Sequence, residues 1–145
     1  MKTVFIILWG SIMVLYSDIS SATEVNIEVT GIDVTRGGNI VVMIFTEKGF
    51  PKNHKEAVFV QTKNALQEVM TFTFNPGREE MAVKVLHDEN EDGKVSKNWT
   101  GIYPKEGLGF SNGQTIGLTG PPGYKSSTLS RDQFKDGVSI SILYP

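Results

Sequence analysis

Met70-Thr71-Phe72-Thr73-Phe74-Asn75-Pro76-Gly77 places an apolar side chain at every second position and then breaks on a Pro-Gly pair. A period of two belongs to a strand with one face on a core and one in water, whereas a helix repeats every 3.6 residues. Pro then Gly suits the two central positions of a type II turn. The next strand follows from Glu80 to His87, with Met81, Val83 and Val85 on one face. Outward from this turn the same period recurs. Val25, Ile27 and Val29 alternate with polar residues, as do Val138, Ile140, Ile142 and Tyr144. Ile40 to Phe45 is continuously apolar and β-rich, which predicts a central strand covered on both faces. Ala57 to Thr62 is a shorter candidate, and Lys63 to Val69 has room for one helical turn at most. Six or seven short strands with polar turns predict an all-β domain, an antiparallel β-sandwich of immunoglobulin-like or prealbumin-like kind.

Compartment is legible at the N-terminus. Lys2 precedes an almost unbroken apolar run from Val4 to Tyr16, and Ser20-Ser21-Ala22 supplies small residues where a signal peptidase cuts. Thirteen residues are too few for a membrane span of about 20. The expectation is a signal peptide at 1–22 and a single exported domain at 23–145, periplasmic or secreted, with no membrane insertion after cleavage. Its net charge stays at −2, because 1–22 removes one Lys and one Asp. That balance predicts no general attraction to nucleic acid or to an anionic bilayer. The chain has no Cys, so its stability must come from its core, with or without a bound ion. Asn98-Trp99-Thr100 matches a glycosylation sequon, which matters only in a eukaryotic host.

The regular period fails between Asp88 and Tyr124, 37 residues with eight glycines and no strand pattern beyond a short candidate near Ile116. Connections this long in a compact domain are usually functional or disordered. Trp99, Ile102, Leu108 and Phe110 are too apolar for disorder, so the segment reads as one long, folded, Gly-rich loop. It opens with Asp88-Glu89-Asn90-Glu91-Asp92-Gly93-Lys94. Side-chain oxygens at alternate positions before a Gly hinge are the spacing of a calcium loop. Asp88, Asn90 and Asp92 would bind through side chains, Lys94 through its carbonyl, Ser96 directly or through water, and Glu106 as a capping carboxylate. Trp99 stands where an EF-hand needs a bidentate Glu, and the flanks are not helices, so a true EF-hand is excluded. The alternative is a solvated acidic turn.

Other residues offer less. His87 ends the row of Met81, Val83 and Val85, which predicts a strand-end histidine bonded to the loop. The sharper alternative pairs it with Asp88 and Glu106 as an acid–base or metal site, in a hydrolase for example. Two histidines in the chain make a multi-His zinc site unpromising. Ser111 lies outside any nucleophile-elbow context, and with Asn112 it suits turn hydrogen bonds. Trp99, Tyr103, Phe110 and Tyr124 are either a groove for a sugar or peptide or the hydrophobic staples of the loop.

The residues Ala82-Val83-Lys84-Val85-Leu86-His87-Asp88-Glu89-Asn90, then Asp92-Gly93-Lys94, Glu106-Gly107 and Gly109-Phe110-Ser111-Asn112 carry a resemblance. Together with Gly49-Phe50-Pro51 and Pro76-Gly77 they resemble a bacterial family of small exported proteins classed as a domain of unknown function. The resemblance spans nearly all of 23–145. It implies a periplasmic or secreted β-sandwich and names no reaction. Three positions depart from the pattern: Met81 replaces a usual Tyr, Ser96 a common Asp, and Tyr103 is inserted before Pro104. The resulting expectation is an exported binding or structural module, its partner unknown, with calcium as the one implied cofactor.

Overall fold

A computed structural model describes residues 24–145, and the apolar leader expected at 1–22 lies outside them. Two sheets face each other. The smaller holds β1 (Val25–Thr30), β4 (Met70–Phe74) and β8 (Val138–Ser141), with β1 in the middle. The larger runs β3 (Phe59–Asn64), β2 (Asn39–Phe45), β5 (Glu80–Asp88), β6 (Leu108–Phe110), and β7 (Leu129–Ser130) pairs with the start of β5. The alternation seen in the sequence builds the space between them. Val25, Ile27, Val29, Phe72, Phe74 and Ile140 point in from one sheet. Ile40, Val42, Ile44, Met81, Val83 and Val85 point in from the other. The fold is the all-β sandwich that the period of two predicts.

Two details differ from the expectation. Among the described residues there are eight strands rather than six or seven, and one pair is parallel: Ile27 stands opposite Val138 and Val29 opposite Ile140. A parallel neighbour needs a crossover. Here the chain leaves β7 on the larger sheet, passes through the short helix α2 (Arg131–Lys135) and turns at Gly137 to lie along β1. The start of α2 is set by a capping box in which Ser130 and Gln133 satisfy each other's backbone amides. Phe134 then drops from α2 into the core, 1% exposed. Preceding β7 is a second short helix, α1 (Tyr124–Ser127). Among the described residues no helix is long and apolar enough to cross a membrane.

The central strands β2 and β5 of the larger sheet are largely buried on both faces while its edge strand β3 stays exposed, and this positions everything that follows. Every residue of β5 after Glu80 is buried. Its outer row is Ala82, Lys84, Leu86 and Asp88, and neighbouring Met43 and Phe45 of β2 point the same way into a second, smaller core. That core is roofed by two connections. One supplies Phe50 and Ala57, and the other, the Gly-rich excursion, supplies Val95, Phe110 and Ile116. Phe50 is the keystone: its ring sits edge-on to Phe45 at 5.5 Å, Tyr124 at 6.0 Å and Phe110 at 6.3 Å.

The short strand expected near Ile116 forms instead at Leu108–Phe110, where glycines hide it. A side chain at Gly107 would strike Ile142 and Tyr144 at 2.5 Å, and one at Gly109 would strike Ile140 at 2.7 Å. The last stretch of the chain crosses so close to this edge that only glycine fits. Its low strand propensity is therefore overridden by packing.

Candidate functional site

The acidic loop begins where β5 ends. Asp88 is 3% exposed, and both its oxygens accept backbone N–H groups: Oδ1 from Asp92 at 3.1 Å and Oδ2 from Gly93 at 2.7 Å. Asn90 Oδ1 accepts from the same Asp92 amide at 3.3 Å, and Asp92 Oδ1 accepts from Lys94 N–H at 2.8 Å. Asn90 Nδ2 donates to Asp92 Oδ2 and to Ser96 Oγ. From the far end of the loop Glu106, also 3% exposed, accepts from Glu89 N–H at 3.1 Å and Ser96 N–H at 2.7 Å.

Five of the six expected ligands thus share one hydrogen-bond network, and the sixth, Lys94, joins through its amide. The centre on which the oxygens of Asp88 and Asn90 converge is the amide nitrogen of Asp92. Carboxylates that accept two or three backbone N–H bonds are strongly held in place. Among the described residues no group of three or more His, Asp or Glu is arranged to hold a metal ion. The loop is stapled by its own amides.

His87 faces the other way. It is fully buried at the end of the inward row, while Asp88, the next residue, points outward. Its Nε2–H donates to the Gly37 carbonyl at 2.6 Å, which leaves Nδ1 as acceptor for the Tyr144 hydroxyl, also at 2.6 Å. Tyr144 Oη in turn accepts from Asp33 N–H, and Arg36 lies over its ring at 4.4 Å. The pairing of His87 with Asp88 or Glu106 is not formed, because alternate residues of a strand face opposite sides and both ring nitrogens are engaged elsewhere.

The four loop aromatics divide as well. Phe110 is 4% exposed and Tyr124 half-buried, both against Phe50. Trp99 is 97% exposed and Tyr103 49% exposed. The exposed pair and the packed pair do not share one surface, and Phe110 lines a cavity. Ser111 departs from the turn reading: its buried hydroxyl makes long-range bonds, accepting from Val83 N–H at 2.9 Å and donating to Ser127 O at 2.5 Å, and so ties β5 to α1.

That cavity, about 730 Å³, lies between the outer face of the larger sheet and the excursion. Leu108, Phe110, Val95, Ile102 and Ile116 give it apolar walls. At its base lies Lys84, only 4% exposed between the apolar Ala82 and Leu86 of the outer row. Its Nζ donates to the Pro51 carbonyl at 2.9 Å and to His54 Nε2 at 2.7 Å. His54 Nδ1–H donates to Gly93 O at 3.1 Å, so one imidazole ties the buried lysine to the acidic loop. Burial pulls the Lys84 pKa down to about 8. Burial and the Lys84 charge both lower the pKa of His54, which keeps it a neutral acceptor. A second cavity of about 400 Å³, lined by Met43, Val60 and Asp88 among others, opens on the other side of His54.

Sequence reasoning passes over Lys84 and His54. The signal was present for Lys84, since Ala82 and Leu86 on either side of it in the outer row are as apolar as the inner row. A lysine between them has nowhere wet to go.

The model of a family described as uncharacterized protein conserved in bacteria (DUF2141) matches residues 27–137. The chain belongs to that family. The DUF2141 match takes in the acidic loop, Lys84, His54 and every wall of the cavity, and stops where β8 begins. No curated protein and no solved structure matches the chain.

Proposed function

We propose that this DUF2141 chain is an exported binding module that takes a small molecule in the cleft over Lys84. The observation that carries the reading is the cleft itself: about 730 Å³ of space, a partly apolar lining, and buried Lys84 hydrogen-bonded to half-buried His54. Small-molecule sites typically offer 300–1,000 Å³, a mostly apolar lining and a few fixed polar groups. The acidic loop is then the cleft's rigid wall, fixed by Asp88 and Glu106. In this reading 1–22 is the signal peptide and the module works in the periplasm or outside the cell.

A calcium-ordered loop is the second reading. Its support is the convergence of the Asp88 and Asn90 oxygens, although an ion there must displace the Asp92 amide.

The test is a two-dimensional amide NMR spectrum of residues 23–145 recorded against a diverse small-fragment library. Fragments that shift Lys84, Val95, Gly101 and Ile116 together support the cleft. A library whose binders all map elsewhere, or that yields none, argues against it. Sequencing the N-terminus of the processed protein tests export, with Thr23 as the expected first residue.

A further inference from the structure

A buried ammonium without a counter-charge is rare, because transferring an ion out of water is costly unless an opposite charge meets it. Lys84 is such a group. Its three N–H bonds have two neutral acceptors, the Pro51 carbonyl and His54 Nε2, and the third has no acceptor among the described residues. None of the ion pairs among those residues includes it. The surroundings point the same way. Five lysines line the cleft (Lys52, Lys55, Lys84, Lys94 and Lys97) against a single carboxylate, Asp92, although the chain as a whole carries −2. Apart from Asn53, His54 and Thr119 the remaining walls are uncharged and carry no polar side chain, and the loops beside the cleft leave Ile102 70% exposed and Leu118, next to the lining residue Thr119, 98% exposed.

We infer that the cleft binds an amphipathic anion, whose oxyanion head accepts the vacant N–H of Lys84 and whose apolar body lies along Leu108, Phe110, Ile102 and Ile116. The inference rests on the cleft reading and names its ligand class. A carboxylate and a phosphate monoester share the required head. A lone inorganic anion lacks the body that the walls are built to cover, and a neutral alcohol lacks the charge.

Decanoate, decyl phosphate, 1-decanol and inorganic phosphate, each below its aggregation limit, separate these contributions. Each is titrated into residues 23–145 and followed by amide NMR. Trp99, the only tryptophan of 23–145, gives a fluorescence signal in parallel. Decanoate or decyl phosphate is expected to shift the cleft resonances and to bind at least about tenfold more tightly than decanol, the worth of one charge-assisted hydrogen bond. Whichever of the two binds more tightly identifies the head. Inorganic phosphate alone is expected to bind at least about tenfold more weakly than either. In Lys84→Met the difference between the anions and decanol is expected to vanish. Equal binding of decanol and the anions to the native chain overturns the charge assignment and leaves the cleft standing, and this comparison holds even if the variant does not fold. Failure of every decyl probe to move the cleft resonances overturns the ligand class, and the fragment library decides separately whether the cleft binds anything.

Discussion

At Lys84 the chain accepts a local penalty in its folded state. The folded amine titrates near 8 because burial disfavours its charged form, while in the unfolded chain it titrates near 10.5. Between those values the unfolded chain holds more protons, so stability rises with pH across that window. Below pH 8 the penalty is present in full, about 3 kcal/mol at 1.36 kcal/mol per pH unit. Lys84→Met is expected to unfold at a higher temperature than the native chain at pH 7. It is also expected to lose the rise in stability that the native chain gains between pH 8 and 10. Thermal unfolding at stepped pH reads both. A native chain whose stability is flat over that range would mean that Lys84 is not desolvated. The side-chain size is not the issue, since methionine fits a row already shared by Leu86 and Met43.

At the scale of elements, the acidic loop and β6 show how far pattern reading reaches. Alternation in β1, β4 and β8 and in the inward row of β5 is legible because those side chains meet the inter-sheet core, and β2 is legible by its unbroken apolar run because both its faces are covered. β6 is not, since Gly107 and Gly109 answer to the crossing chain rather than to strand propensity. Gly109→Ala is expected to cost about 1–3 kcal/mol by overpacking, because its Cβ would meet the Ser141 carbonyl at 2.8 Å and backbone cannot rotate away. A urea midpoint unchanged from the native chain would contradict the close crossing. Of Asp88, Asn90 and Asp92, the first two turn an oxygen to one amide, that of Asp92, and spacing alone does not say whether an ion or an amide sits at such a centre. Asp88→Ala strips the acceptors from two amides and is expected to cost about 2–3 kcal/mol, with faster hydrogen exchange at Asp92 and Gly93. If the loop is self-stapled, calcium and chelator leave the native melting temperature unchanged. An ion at ~100-fold excess over its Kd would instead add about 2.7 kcal/mol and restore the second reading.

Across the whole molecule the asymmetry between the sheets is what creates a site. The smaller sheet turns Glu28, Thr71, Thr73 and Ser139 to solvent, whereas the larger is roofed on its outer face by the excursion and by the connection carrying Phe50 and His54. The roof does not close completely, and the gap lies over Lys84. An all-β class was readable from one period repeated along the chain. The roof was foreseen only as a folded loop, because its contacts join residues some 30 to 60 positions apart, such as Pro51 with Lys84 and Phe50 with Phe110. The family match adds relatives and no activity, so the account stands on whether the charge buried in that gap is completed by a ligand. The most direct measurement is an NMR titration of the Lys84 ammonium with pH, with and without saturating decanoate or decyl phosphate. The groups bonded to it are His54 Nε2 and the Pro51 carbonyl, and Asp92, Lys52, Lys55, Lys94 and Lys97 line the same cleft. The account predicts a midpoint near 8 in the free chain that climbs toward 10.5 when the anion is bound. A midpoint that stays put while the probe occupies the cleft would contradict it.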